Sequence, residues 1–151
     1  AQHYAFALHA KRKGDSAIYG SAPIIIDGRS SGVTSGRMSL SHAGPVGSVS
    51  GGVDIPANTL YVYAPSASVP TFVASTPMTL DQIYHIVIQR LSGMLQFFID
   101  GELVGEVANA DAWTLKGSQL GARYAISGSN WFGLNGTIDA LRLTRGYARY
   151  S

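Results

Sequence analysis

His85 and Asp100 come nearest, in type and spacing, to a reactive pair in this chain. They bracket the segment HIVIQRLSGMLQFFID, and folding it about Ser92-Gly93 sets them across from one another. An imidazole beside a carboxylate could act as an acid/base dyad. Nothing nucleophilic lies nearby in sequence, so the pair reads better as a cross-strand hydrogen bond closing a hairpin end. Glu102 and Glu106 are the two glutamates of the chain. Glycoside hydrolysis uses two carboxylates held about 5–9.5 Å apart. Period two puts these on one face of a strand but too far apart along it, so they read as solvated charge. The stretch GSVSG from Gly47 has its serine at the wrong offset for a nucleophile elbow. No Gly-Lys-Ser/Thr phosphate loop and no His-Glu-x-x-His helix occurs. His3, His9, His42 and His85 are isolated along the chain, and Asp15, Asp27, Asp54 and Asp111 are single acids in separate loops. No catalytic residue, no metal and no cofactor are therefore expected. Calcium, which needs six to eight oxygen ligands, is the lesser alternative.

What remains is binding chemistry. Sugar rings are held by flat aromatic faces against C–H patches, with amides and hydroxyls for the ring oxygens. Tyr61 and Tyr63 alternate with Leu60 and Val62 and so share the face turned from that strand's core residues. Gln89, Gln96 and Phe98 occupy the corresponding face of the middle hairpin. If those strands belong to one sheet, an aromatic-amide surface results, and it is the first candidate site. The second is the loop YAISGSNWF, where Trp131 follows Asn130; the third is Trp113 in NADAWTLKG. Each of these residues has the plainer alternative of capping a core or a sheet edge. Exposed aromatics also serve where subunits meet.

The elements that must position these residues are strands. The chain has 151 residues, of which 46% are hydrophobic, enough for one domain with a sizeable core. Charged residues are 13%, about half the usual share, and there are 18 glycines. No window shows helical periodicity, whereas period two recurs in YAFALHAK, RMSLSH, TLYVYA, IYHIVIQRL, MLQFFID and TIDALRLT. APIIIDGR, PTFVAS, ELVGEVA and SQLGARY read as further, weaker strands. Ala43 to Asn58 is rich in Gly, Ser and Pro and reads as a long loop. Nearly a dozen short strands without crossover helices predict an all-β, antiparallel two-sheet β-sandwich spanning 1–151 as a single domain. Tyr4 already falls in a strand pattern, so the domain is expected to be excised from, or attached to, a larger protein. A net charge of +2, with scattered cations, argues against nucleic acid as a partner. No apolar run reaches the roughly 18–20 residues of a membrane-spanning helix, so no membrane insertion is expected. Without cysteine there is no disulfide framework, thiolate metal site or cysteine nucleophile.

The middle hairpin can be registered on paper. Turning at Ser92-Gly93 pairs Leu91 with Met94, Gln89 with Gln96, Ile88 with Phe97 and Ile86 with Ile99. One face then carries Ile86, Ile88, Leu95, Phe97 and Ile99 as core. The other carries His85, Val87, Gln89, Gln96, Phe98 and Asp100, a mixed surface suited to partial exposure. Asp100-Gly101 makes a second tight turn.

With these residues in place, the chain resembles the concanavalin A-like, laminin G-type jelly-roll family. The resemblance rests on QIYHIVIQRLSGMLQFFIDGELVG, Gln82 to Gly105, and on Phe132, Gly136, Ile138, Asp139, Leu141, Arg142 and Leu143 near the end. Ile83 stands where the family often has tryptophan, a conservative change for a core position. The closing TRGYARYS is similar to the version of this domain in bacteriophage tail and other virion proteins. In such a coda Tyr147, Arg149 and Tyr150 could fold back over a sheet edge. The resemblance implies a non-catalytic binding domain that recognises a host-surface glycan or receptor. Its other partners would be neighbouring virion chains or further copies of itself, and its location the virion. The alternatives are a structural decoration or assembly domain of the particle without a sugar ligand, and a secreted bacterial carbohydrate-binding module.

Overall fold

The computed structural model describes residues 4–12, 24–27, 39–42, 48–50, 52–64, 67–79, 81–110, 119–124, 131–134 and 136–146. Among these residues there are fourteen strands and no helix. In chain order the strands are β1 (Tyr4–Arg12), β2 (Ile24–Asp27), β3 (Ser39–His42), β4 (Ser48–Ser50), β5 (Val53–Ile55), β6 (Leu60–Tyr63) and β7 (Phe72–Val73). They continue as β8 (Ile83–Leu91), β9 (Met94–Ile99), β10 (Glu102–Ala108), β11 (Gln119–Leu120), β12 (Ala122–Tyr124), β13 (Trp131–Gly133) and β14 (Gly136–Arg145). One five-stranded sheet runs β10-β9-β8-β1-β14 and a second runs β11-β2-β3-β6-β7, with the ribbons β12-β13 and β4-β5 beside them. Each of these pairings is antiparallel.

The two sheets meet through one apolar cluster. Leu40, Leu60 and Val62 come from the second sheet, and Ile86, Ile88, Leu95 and Phe97 from the first. Every one of these is an alternate residue of its strand, as a half-buried sheet requires. Phe72 of β7 stacks on Phe97 of β9 with centroids 4.6 Å apart and planes 7° from parallel, bridging the layers. Tyr84 adds its ring to the cluster while its hydroxyl accepts a hydrogen bond from the Thr79 backbone N–H at 2.7 Å. A phenol buried this way keeps its polar end satisfied.

The middle hairpin folds in the predicted register, from Ile86 opposite Ile99 to Leu91 opposite Met94. Ser92 and Gly93 have φ of 50° and 82°, and Asp100 and Gly101 have 52° and 86°. Two successive positive φ values are what a two-residue hairpin turn of the primed kind demands.

Bulges set the rest of the geometry. In β10 one extra residue falls between Leu103, opposite Phe98, and Gly105, opposite Phe97. Glu102 is thereby opposite the core-facing Ile99, and Glu106 opposite the outward-facing Gln96. The two glutamates lie on opposite faces, not the shared face that period two gives, because a bulge reverses the phase of a strand. In β14 Ala7 pairs with Arg142 but His9 with Asp139, so one residue is inserted around Ala140. Ile138 and Leu143 consequently fall in core-facing rows despite their odd separation in sequence, level with Tyr84 and Ile88 through β1. Ala140 itself has a φ of 51°. Such a value is strained for a residue with a Cβ.

Three further expectations are corrected. The stretch read as a loop, Ala43 to Asn58, contains the β4-β5 ribbon, turned at Gly52 with φ of 79°. The strand read as SQLGARY is broken at Gly121, with φ of 68°, into β11 and β12, which join different sheets. Ile83 is 61% exposed at the first position of β8 and is not a core residue.

Candidate functional site

The aromatic-amide surface expected from sequence is not one surface. Tyr61 and Tyr63 belong to β6 in the second sheet, while Gln89, Gln96 and Phe98 belong to β8 and β9 in the first. Both groups face away from the shared core, so they lie on opposite outsides of the sandwich. Tyr61 and Tyr63 are each 5% exposed and pack edge to face, centroids 6.1 Å apart, in a cluster with Ile55 of β5. The ribbon missed in the sequence therefore buries the tyrosines that sequence offered as a platform.

On the outer face of the first sheet, Ala7, Val87 and Phe98 form a buried cluster of their own. Gln89 beside them is fully buried, and its Nε2 donates to Gln96 Oε1 at 3.0 Å. Gln96 Nε2 in turn donates to the exposed Glu106 Oε2 at 3.3 Å. The amides bind one another across β8, β9 and β10, and this face is covered more completely than partial exposure implies. Trp113 and Asn130 lie outside the described residues. Trp131, expected in a loop, opens β13 with its backbone paired to Tyr124.

His85 and Asp100 close the hairpin as expected. The His85 N–H donates to Asp100 Oδ1 at 2.7 Å, and the Asp100 N–H donates to the His85 carbonyl at 2.8 Å. The carboxylate is bonded to backbone, so the pair is a structural clasp. Among the described residues no group of three His, Asp or Glu side chains could hold a metal.

A concave site does form where sequence gave little sign of one, at the open edge of the sandwich. A cleft of about 390 Å³ lies between β14 and the β11 corner. Its walls include Leu120, Leu134, Ile138, Asp139, Ala140 and Leu141. The Leu134 N–H donates to the Gly121 carbonyl at 2.8 Å, tying the floor together. At the bulge, Asp139 Oδ1 accepts the Ala140 N–H at 2.6 Å and so supports the strained residue beside it. Leu120 and Leu141 are 48% and 40% exposed, giving apolar surface next to the exposed Asp139. That combination suits a small polyol, whose C–H patches meet leucine and whose hydroxyls donate to carboxylate or carbonyl oxygen. The volume is at the small end of ligand-sized clefts.

A family model described as the concanavalin A-like lectin/glucanases superfamily matches residues 15–147. The chain belongs to that superfamily. The matched segment takes in both sequence signatures and every strand from β2 to β14, whereas β1 precedes it, although β1 lies between β8 and β14 in the sheet. No curated protein matches the chain in sequence. Among solved structures it is similar to a presumed carbohydrate-binding protein from Bacteroides ovatus ATCC 8483, with a TM-score of 0.64 and 18% identity. That likeness covers 97% of this chain and 42% of the other. It is also similar to the native heptameric SAP-like pentraxin of Limulus polyphemus, with a TM-score of 0.59 and 12% identity over 93% of this chain and 63% of that one. At such identities the likeness is one of fold. The chain spans less than two thirds of either protein. In this superfamily member the cleft combines two features that spacing concealed, the β14 bulge and the Gly121 break.

Proposed function

We propose that this domain is a non-catalytic, lectin-like module that binds a glycan in the cleft beside the β14 bulge. The observation that carries the reading is the cleft itself, with Asp139 and Leu141 on one wall and Leu120 on the other. The superfamily and the carbohydrate-binding name of the Bacteroides ovatus neighbour support the ligand class. The separation of Glu102 and Glu106 onto opposite faces supports the absence of glycosidase chemistry. We further place the domain on a bacteriophage tail or other virion protein, where the ligand is a host-surface glycan or receptor. The support for that setting is the closing TRGYARYS and its resemblance to virion versions of the domain.

A glycan array probed with the folded chain, alone and self-associated, tests the reading. Asp139→Ala and Leu141→Ala are each expected to reduce retention of the bound sugar at least tenfold. Retention of no glycan by the wild type, or retention by both variants equal to that of the wild type, overturns it.

A second reading has an observation of its own. Leu143 is 54% exposed and Leu141 40% exposed on β14, an edge strand of its sheet. Apolar side chains on an open edge favour contact with another protein. A decoration or assembly domain, joined to virion chains or to further copies of itself, would use that edge without any sugar. Light scattering of the wild type and a Leu143→Lys variant separates the readings, since only the assembly role requires association through Leu143. A secreted carbohydrate-binding module, the third reading, is excluded if its gene lies among tail genes.

A further inference from the structure

The edge strand β14 holds a symmetry that its sequence hides. Its ten residues run against the nine of β1, from Gly136 opposite Arg12 to Arg145 opposite Tyr4. The surplus residue is the bulge at Ala140 and Leu141, which stands at the middle of the strand, level with Leu8. Four rungs lie on each side of it, Gly136 to Asp139 before and Arg142 to Arg145 after. Reversing the strand about that midpoint sets Asp139 against Arg142, Ile138 against Leu143 and Thr137 against Thr144. We propose that β14 docks antiparallel on β14 of a second copy of this chain, about a two-fold axis through the bulge, in this register. The proposal rests on the assembly reading of this edge and gives it a partner and a pairing.

Three observations carry it. The first is the match of types: acid meets base, aliphatic meets aliphatic and hydroxyl meets hydroxyl, each twice because a two-fold contact is self-complementary. The second is the match of faces. Asp139 and Arg142 are three apart, and period two would put them on opposite faces; the bulge adds the residue that returns both to the outer face. Arg142 is level with Ala7 and Val87 of the outer cluster, and Asp139 with His85 two residues along β8. Ile138 and Leu143 return together to the inner face, level with Tyr84 and Ile88. The third is openness. Asp139 to Leu143 are five consecutive exposed residues, so both faces of the strand are open where the axis would pass. Bulges on edge strands ordinarily discourage pairing. Here the bulge is central, so its own copy opposes it and the rungs on either side stay in step.

The test is sedimentation velocity of the whole chain over a range of concentrations, where a concentration-dependent dimer is expected. Asp139→Arg and Arg142→Asp each set like charges opposite one another and should weaken that dimer at least tenfold. An equimolar mixture of the two variants restores opposite charges at both rungs and should form a heterodimer. Because Asp139 also supports the bulge, a second measurement leaves it in place. The chain has no cysteine, so Thr137→Cys and Thr144→Cys chains should cross-link when mixed and mildly oxidised, and neither should cross-link alone. A wild type that stays monomeric up to about 1 mM overturns the proposal and leaves the assembly reading only a different chain as partner. A dimer lost in Leu143→Lys but indifferent to both charge reversals overturns this register while the assembly reading stands. Failure of the mixed cysteine chains to cross-link overturns the register as well.

Discussion

Replacing Gly105 with alanine tests how the sheets are locked together. Gly105 sits just past the β10 bulge, and a Cβ built there falls 2.2, 2.7 and 3.1 Å from three atoms of the Phe72 ring. Carbon atoms in contact prefer about 3.5–4.0 Å, so the ring must retreat by more than about 1 Å. It has little room to do so, because its other neighbour is the stacked ring of Phe97, itself only 3% exposed. Overpacking of this kind costs about 1–3 kcal/mol, and disturbing the aromatic pair adds about 0.5–1.5 kcal/mol. Against this, the stiffer unfolded chain returns about 0.4–1 kcal/mol. A net loss of about 1–3 kcal/mol follows, a large share of a typical domain's stability.

The assay is urea unfolding followed by circular dichroism, where the midpoint should fall at unchanged slope. The cycle partner is Phe72→Ala. With the ring gone, the added methyl meets open space, and Gly105→Ala should become neutral or slightly stabilising. A coupling energy above about 1 kcal/mol is therefore expected, well beyond the scatter of independent sites. Equal destabilisation by Gly105→Ala with and without the Phe72 ring would refute the steric argument.

Tyr61→Ala should destabilise by about 3 kcal/mol or more, because its ring is buried; any loss of ligand binding should track unfolding in a thermal melt. Ala140→Gly should stabilise by up to about 1 kcal/mol by relieving the positive φ at the bulge, a gain visible as a higher denaturant midpoint. Gln96→Leu, which removes the acceptor of the buried Gln89 amide, should cost about 1–3 kcal/mol, whereas Glu106→Ala at the exposed end of the same chain of bonds should cost less than about 1 kcal/mol. The same urea titration ranks them, and equal effects would show that the amide chain is not anchored at Gln89.

The middle hairpins were legible because two local signals agreed. Ser92-Gly93 and Asp100-Gly101 supply positive φ at both turn positions, and the aliphatic residues between them alternate without interruption. Alternation alone misleads once a strand gains a residue. Nothing in ELVGEVA or TIDALRLT marks Val104 or Ala140 as an insertion, and in β14 the strained position lacks the glycine that would have announced it. Phase is lost there, and with it the faces of Glu102, Glu106, Leu141 and Leu143. The cleft was invisible for the same reason, since it is built around that bulge and the break at Gly121.

The tyrosines show the complementary failure, in which the face was right and the exposure wrong. Alternation correctly turned Tyr61 and Tyr63 away from Leu60 and Val62. Whether an outward face meets water depends on what else crosses it, and that is decided by a segment whose glycines and serines disguise two strands. Val53 and Ile55 are the apolar positions that betray β5, and Ile55 is the residue packed on the tyrosines. The His9–His85 register is a still stronger case. A cross-strand neighbour made by β1 entering between β8 and β14 has no local signature at all, because antiparallel pairing fixes proximity by topology rather than by spacing. Chemistry spread over several strands of a sandwich therefore has to be sought along rows of the sheet, as the cleft beside Asp139 shows, where the β14 bulge and the Gly121 break come together without any spacing that announces them.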